Sequence, residues 1–204
     1  YIIATHPHID HIGGMAYIIN NFDIGKIYMP NVSTTTSTYE KLLKTIKNKG
    51  LVITRGVFGV SILNTDDLKI EILAPLDKAY EDLNNYSIVI KITYKERKFL
   101  FMGDAEEISE SEITKDVSCD VIKVGHHGSS TSSSQSFIGK THAKYAIISL
   151  GVNNDYGHPH KEVLKRLEAA HVKIYRTDLS GNIIISTDGV NLDITEGGKN
   201  ESNN

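Results

Sequence analysis

Three histidines and an aspartate lie within six residues near the start of the chain, in the segment "THPHIDH". Pro7 has a fixed φ and pushes His6 into the extended region, so the side chains of His6 and His8 are expected on the same side of the backbone. The glycines that follow predict a turn into a helix, which brings Asp10 and His11 to the same neighbourhood. Imidazoles and a carboxylate in this arrangement are typical of a Zn²⁺, Mn²⁺ or iron site.

Two later segments supply further candidate ligands. Asp104 ends the apolar strand "FLFMGD", and His126 and His127 end the strand "DVIKVG". Because a carboxylate at such a point can bridge two metal ions, we expect Asp104 to complete a dinuclear site. The alternative interpretation is a turn aspartate before a helix, since carboxylates also favour helix N-termini.

The pattern of apolar residues places these side chains at the ends of regular elements. A helical period predicts helices over 13–22, 38–50, 106–113 and 160–171. Short runs rich in β-branched residues predict strands over 1–5, 26–30, 51–55, 60–64, 68–75, 86–94, 97–104, 120–125, 145–151, 172–177 and 182–189. The serine-rich segment 128–136 is predicted as a polar loop. Such a mixture of helices and strands indicates an α/β fold, in which sites lie beyond strand ends.

Length and composition limit the possible classes of protein. The chain has 204 residues, of which 40% are hydrophobic, and this favours one domain over 1–195 followed by a polar tail at 196–204. A net charge of −3 argues against a protein that holds long duplex DNA on a basic face. The single cysteine, Cys119, excludes an intrachain disulfide and a cysteine-rich zinc site. No apolar run is long enough to predict a membrane-spanning helix.

Four motifs together resemble a known family. "THPHIDH", "GDAE", "GHHGS" and "YGHP" are similar to motifs of the metallo-β-lactamase superfamily and, within it, of the ComEC-type domain of bacterial DNA-uptake channels and its stand-alone relatives. The resemblance covers residues 1 to about 189. It implies an αββα four-layer sandwich with metal ions at the edges of its sheets. The implied metal ligands are His6, His8, Asp10, His11, Asp104 and one of His126 and His127.

The choice between the last two histidines depends on the alignment. Matching "VGHHG" to the superfamily motif favours His127, whereas a one-residue shift in the strand selects His126. A second point is that the superfamily has another histidine ligand in the middle of the chain, and here no histidine lies between His11 and His126. We expect Asn84, Asn85 or water to fill that place. Oxygen-rich coordination of this kind favours Mn²⁺ over Zn²⁺.

The resemblance also bears on the start of the chain. Members of the superfamily have several strands ahead of the first histidine motif, and this sequence begins at Tyr1, within a predicted strand and without a methionine. We therefore expect a fragment, or the ordered part of a longer protein, with an N-terminally incomplete sandwich. Location cannot be predicted from this terminus. The family resemblance favours an extracellular or cell-surface protein and leaves a cytoplasmic one open.

Other side chains are candidates for contacts with substrate. Ser129 and Ser130 are predicted to donate hydrogen bonds to phosphate oxygens. Arg176 is a candidate phosphate-binding cation, and an ion pair with Asp178 is the structural alternative. His158, in the "YGHP" motif, is predicted to bind substrate or to protonate the leaving oxygen.

The sequence thus predicts a metal-dependent hydrolase that uses two divalent ions, Zn²⁺ or Mn²⁺. The favoured reaction is cleavage of a phosphodiester, with DNA as the favoured substrate, by water activated at the metals, with Asp10 and His158 as catalytic residues. The same ligands suit the hydrolysis of another ester, a thioester or a lactam, because the fold does not fix the substrate. A non-catalytic accessory or binding module of a DNA-uptake system is the remaining alternative. The oligomeric state is not predicted.

Overall fold

The structure is a computed structural model that describes residues 1–197. Its strands are β1 (Ile2–Ile3), β2 (Ile27–Met29), β3 (Ile53–Arg55), β4 (Ser61–Asn64), β5 (Leu68–Ala74), β6 (Val89–Tyr94), β7 (Arg97–Phe101), β8 (Val121–Lys123), β9 (Tyr145–Ile148), β10 (Lys173–Arg176), β11 (Asn182–Thr187) and β12 (Leu192–Gly197). Its helices are α1 (Ile9–Ile12), α2 (Met15–Asn21), α3 (Ser37–Asn48), α4 (Glu107–Glu112), α5 (Gln135–Thr141), α6 (Lys161–Ala169) and α7 (Thr177–Ser180). Two 3₁₀ turns cover Leu83–Tyr86 and Gly125–Gly128.

The strands form two main sheets and a separate hairpin. The smaller sheet is parallel, in the order β1-β2-β3. The larger sheet has the order β10-β9-β8-β7-β6-β5-β4, antiparallel from β4 to β7 and parallel from β7 to β10. β11 and β12 pair with each other in an antiparallel hairpin.

Alternating apolar side chains stack these sheets into four layers. In β2, Ile27 and Met29 pack into a core with helices α1 to α3, whereas Tyr28 between them packs into a core with Ile72 of the larger sheet. The opposite face of the larger sheet, which includes Val89, packs against helices α5 and α6. Successive residues of a strand point to opposite faces, so each sheet is buried on both sides. The arrangement is helix, sheet, sheet, helix, which confirms the predicted αββα sandwich.

Most predicted elements are present, with shorter bounds. The predicted helix at 13–22 is the exception, because helical structure already begins at Ile9 and two helices, α1 and α2, occupy this stretch. Segment 128–136 is not wholly loop, since α5 begins at Gln135 with the Ser134 hydroxyl as its N-cap. The predicted tail begins too early, because β12 includes Glu196 and Gly197. Its other residues, 198–204, lie outside the described part of the chain.

Within residues 1–197, no helix has the length and apolar character needed to cross a bilayer.

A buried carboxylate fixes the serine-rich segment that follows the second histidine motif. Glu110 of α4 is only 3% exposed, and its carboxylate accepts hydrogen bonds from the backbone N–H groups of Ser133 and Ser134, the latter at 3.0 Å. A buried N–H group without a partner costs about 1–3 kcal/mol. Glu110 therefore holds the start of α5 against α4.

Replacing this carboxylate is expected to destabilise the chain. Glu110→Ala leaves two buried N–H groups unpaired, so we expect the free energy of unfolding to fall by about 2–4 kcal/mol. Urea unfolding followed by circular dichroism measures the change. Glu107→Ala is the matched control, since Glu107 is an exposed carboxylate on the same helix. Equal stability of the two variants would contradict this role of Glu110.

Candidate metal centre

The ends of three strands bring the predicted ligands together. His6 follows β1, Asp104 follows β7, and His127 follows β8. Gly103 lets the loop after β7 come close to the first histidine motif. It adopts a left-handed φ of 55°, and a Cβ atom there would lie 3.0 Å from the Ser87 side chain and 3.1 Å from Thr5. A glycine at this position therefore allows the Asp104 loop to touch the first histidine motif.

One group of ligand atoms consists of His6, His8 and Asp104, whose ligand atoms all lie within 4.8 Å of one another. The Nε2 atom of His6 lies 3.0 Å from Nδ1 of His8 and 3.7 Å from Oδ2 of Asp104. His6 and Asp104 are buried, being 1% and 2% exposed. The two histidines point the same way, as the extended backbone around Pro7 predicts.

A second group consists of Asp10, His11, Asp104 and His127, again within 4.8 Å. The Nε2 atom of His11 lies 3.1 Å from Oδ2 of Asp104. The Nε2 atom of His127 lies 3.2 Å from Oδ2 of Asp10 and 3.5 Å from Oδ2 of Asp104. Asp104 therefore belongs to both groups. Its side chain faces the histidines, which favours the bridging role over that of a simple turn aspartate.

The chemistry of these atoms fits divalent cations. The Nε2 atoms of His11 and His127 are 3.2 Å apart, so these two ring nitrogens point at the same place. The Oδ1 atom of Asp104 is buried and accepts no hydrogen bond from any described residue. An unpaired buried carboxylate oxygen is costly unless a cation balances it. Two ions that share Asp104 would satisfy both features.

Hydrogen bonds behind the ligands fix the ring orientations. The Nδ1 atom of His127 donates to the Ser149 carbonyl at 2.6 Å, which directs Nε2 towards the carboxylates. The Thr5 hydroxyl lies 3.2 Å from Nδ1 of His11, and the Ser87 hydroxyl lies 3.2 Å from Nδ1 of His6. Supporting contacts of this kind select the tautomer of a metal-binding histidine and hold its ring in place.

The ligands also shift each other's proton affinity. Hydrogen bonds from His11 and His127 hold the pKa of Asp10 well below its usual range. Burial opposes the same change at Asp104, but the histidines outweigh it and the pKa is again lowered. In return, hydrogen bonds to Asp10 and Asp104 raise the pKa of His127 to about 10. Burial and the neighbouring His11 lower the pKa of His6 to about 3. Before a metal binds, both carboxylates are thus ionised at neutral pH, His6 is neutral and His127 carries a proton.

The two adjacent histidines, His126 and His127, have different contacts in the structure. His126 and His127 both have left-handed backbone conformations, with φ of 45° and 52°. Such residues cost about 1–3 kcal/mol each and cluster at functional sites. Only His127 joins the ligand groups. The Nδ1 atom of His126 instead lies 3.4 Å from the Glu106 carboxylate and 3.2 Å from the Thr131 hydroxyl. Of the two alternatives left open by the sequence, the geometry favours His127.

Four of the candidate ligands, His8, Asp10, Asp104 and His127, line an open cavity of about 490 Å³. Asp10, Asp104 and His127 lie on its wall together with His126, Tyr156 and His158. No lysine or arginine is among its lining residues in the described part of the chain. Burial lowers the pKa of His158 to about 4, so its imidazole is neutral at pH 7. The predicted catalytic role of His158 stays a prediction, but its place in the cavity suits contact with a substrate.

Three predicted substrate-binding residues do not line this cavity. Ser129 is 5% exposed, and its hydroxyl lies 3.1 Å from that of Thr131. Ser130 is exposed, and its backbone N–H donates to Nδ1 of His160 at 2.8 Å. Arg176 donates two hydrogen bonds to the Asp178 carboxylate, one of them at 3.0 Å. For Arg176 the structure thus shows the ion pair that the sequence offered as the alternative.

Several residues of the site were not predicted. Thr5, Ser87 and Ser149 orient histidines, Glu106 contacts His126, and Tyr156 lines the cavity beside His158. Glu106 and Tyr156 each lie two residues from a predicted site residue, so proximity to the motifs was a usable signal. The hydroxyl of Ser87 and the carbonyl of Ser149 gave none, because they act only once the strands are assembled.

The shared carboxylate predicts the metal content. Purified chain loaded with Mn²⁺ or Zn²⁺ is expected to hold about two ions, and Asp104→Ala is expected to lose at least one of them because both ligand groups use Asp104. Inductively coupled plasma mass spectrometry measures the ratio. Asp23→Ala is the control, since Asp23 is an exposed carboxylate. Unchanged content in Asp104→Ala would refute the bridging role.

The raised pKa of His127 predicts proton release on metal binding. Because a metal needs the lone pair of neutral imidazole and the pKa of His127 is about 10, binding at pH 7 must displace its proton. Metal affinity should therefore rise with pH between 5 and 8. Titration calorimetry in buffers of different ionisation enthalpy should detect release of about one more proton from the native chain than from His127→Gln. His171→Gln, which alters an exposed histidine, should behave like the native chain.

Comparison with known proteins agrees with this geometry. The profile of the metallo-beta-lactamase superfamily matches residues 1–152. ComE operon protein 3 of Bacillus subtilis is 32% identical over 185 residues, which cover 89% of this chain and 24% of that protein. Competence protein ComA of Neisseria gonorrhoeae is 34% identical over 120 residues, covering 57% of this chain and 17% of ComA. The chain thus spans about a quarter or less of the length of these relatives.

A solved structure supports the fold alone. The metallo-beta-lactamase fold protein YhfI from Bacillus subtilis has a TM-score of 0.51 at 13% identity, covering 85% of this chain and 72% of YhfI. The superfamily profile covers the first histidine motif, Asp104 and His127, which are the residues that the structure assembles. The chain therefore belongs to the metallo-beta-lactamase superfamily, and its matches to ComE operon protein 3 and competence protein ComA support the ComEC-type similarity indicated by its motifs.

Proposed function

We propose that the chain is a phosphodiesterase that cleaves DNA with two divalent ions bound by the two ligand groups. The observation that carries the proposal is the buried Asp104 carboxylate, which lies between the two groups at the wall of an open cavity. Bound divalent ions would supply a lowered pKa for water and positive charge for the phosphate oxygens. The resemblance to a domain of DNA-uptake channels, and a relative named as a competence protein, favour DNA as the substrate.

The residues of the chain have separate tasks in this proposal. His6 and His8 with Asp104 would hold one ion, and Asp10, His11, Asp104 and His127 would hold the other. The first group offers fewer ligands, so an oxygen from another residue or water completes it. Asn85 is engaged at both ends of its amide by Glu106, whereas Oδ1 of Asn84 is buried and has no hydrogen-bond partner among the described residues. Asn84 is therefore the better candidate of the two, and an oxygen ligand there favours Mn²⁺.

His158 and His126 serve the substrate in this proposal. Both line the cavity, and their rings lie edge to face at a centroid distance of 5.6 Å. Glu106 contacts the Nδ1 atom of His126, so this contact does not occupy the Nε2 atom of the same ring. A neutral His158 can donate a hydrogen bond from its ring N–H to a substrate oxygen. Protonation of the leaving oxygen, the role that the sequence predicts for His158, would need its imidazolium form, which the lowered pKa of this group disfavours at pH 7.

Metal-dependent DNA cleavage tests the proposal. Chain loaded with Mn²⁺ is incubated with end-labelled single-stranded and duplex oligonucleotides, and with a thioester and a lactam as competing substrate classes. We expect cleavage of DNA, its loss on chelation, and a fall of more than about 100-fold in kcat/KM for Asp10→Asn because a metal ligand is removed. Asp23→Asn should match the native chain, since Asp23 is an exposed carboxylate.

Two results would count against this function. Hydrolysis of the thioester or lactam without DNA cleavage would assign the same metal centre to another reaction. Binding of two ions with no turnover of any of these substrates would favour the accessory or binding module that the sequence leaves open.

A further inference from the structure

An exposed aromatic side chain stands beside the metal ligands. Tyr156 is 78% exposed, although large apolar rings are more often buried. Its ring is stacked on that of His158, with an interplanar angle of 21° and a centroid distance of 5.6 Å. Both residues line the 490 Å³ cavity and also an adjoining cavity of about 290 Å³, and Asp10 and His127 line both as well. The exposed ring is thus within the same pocket as the proposed reaction centre.

The segment that carries this ring is held in place. The side chain of Asn154 bonds His158 on both sides of its backbone, accepting from the N–H at 2.9 Å and donating to the carbonyl at 2.8 Å. The N–H of His160 donates to the Gly128 carbonyl at 2.9 Å. A Cβ atom at Gly128 would lie 2.6 Å from Cβ of Pro159, so the glycine permits this docking. The backbone that carries His158 is thus held in place, and the ring of Tyr156 rests against that of His158.

The cavity also lacks the usual means of holding a polyanion. Within the described residues, neither of the two cavities is lined by lysine or arginine, and the chain carries a net charge of −3. Proteins that bind single-stranded nucleic acids combine a positively charged groove along the backbone with stacking of bases on aromatic side chains. Here the proposed divalent ions would supply the positive charge, and without cationic side chains beside them stacking would supply more of the binding. Bases in a duplex are already stacked on one another and do not present a free face.

We propose that Tyr156, supported by His158, is a stacking platform for an unpaired nucleobase next to the phosphodiester at the metal centre. This inference rests on the proposed function and adds to it a preference for single-stranded nucleic acid. Tyr156 acts in it as a specificity-determining residue.

The experiment compares two oligonucleotides that differ only in their bases. One is a labelled twelve-nucleotide thymidine strand, and the other has the same backbone with abasic sites throughout. For the native chain loaded with Mn²⁺, KM for the thymidine strand should be lower than for the abasic strand. Tyr156→Ala should raise KM for the thymidine strand about tenfold and should remove most of the difference between the strands. Tyr156→Phe, which keeps the ring, should restore the native KM. Tyr17→Ala is the control, because Tyr17 is an exposed tyrosine outside both cavities.

The outcomes separate this inference from the proposed function. In one outcome the chain cleaves DNA while Tyr156→Ala leaves KM unchanged or raises it equally for both strands. Either result would overturn the stacking platform without contradicting the proposed phosphodiesterase activity. If neither strand is cleaved, fluorescence anisotropy measures binding of the same two strands. Base-dependent binding that Tyr156→Ala weakens would then support the platform without the enzyme, and binding that is absent or independent of the base would overturn it.

Discussion

The carboxylate of Asp104 is the feature on which the rest of the site depends. It is buried beyond the end of β7, and its Oδ2 atom faces histidines contributed by segments far apart in the sequence. A buried negative charge is unfavourable unless cations or donors balance it. The short distances to His11 and His127 show part of that balance, and bound metal ions would complete it. The close approach at Gly103 and the supporting hydroxyl of Ser87 serve this one group.

The backbone at the second histidine motif shows what such a site requires of the fold. Two consecutive residues in left-handed conformation are unfavourable, yet they turn His127 towards Asp104 and His126 towards Glu106. Contacts with neighbouring segments hold this backbone in its unfavourable conformation. Buried Glu110 secures the loop that follows, and Gly128 bonds the segment that carries His158. The strain at the site is therefore offset by contacts made outside it.

The sequence predicted what depends on local spacing. The first four candidate ligands are close in sequence, and the extended backbone before a helix turn already orients them. Asp104 was predictable as a candidate because it ends an apolar strand, although the same pattern also fits a turn aspartate before a helix. The choice of His127 over His126 was favoured by the motif but not fixed by it, since a one-residue difference in strand register exchanges the two. Helix α5 was missed because its buried Phe137 follows a run of serines that hides the helical period. Ser129 was expected at the substrate, and its burial results from tertiary contacts that no local pattern contains.

The lack of cationic side chains in the cavity, among the residues that the structure describes, has a kinetic consequence for the proposed function. Lysine and arginine around a pocket concentrate anionic ligands and can raise association rates by orders of magnitude. If the pocket binds a nucleic acid as proposed, its side chains add no such attraction, and the positive charge that a strand meets there comes from the bound divalent ions. A cut strand would then be released once its phosphate leaves those ions. Such a pocket would suit brief encounters with many successive strands better than lasting attachment to one.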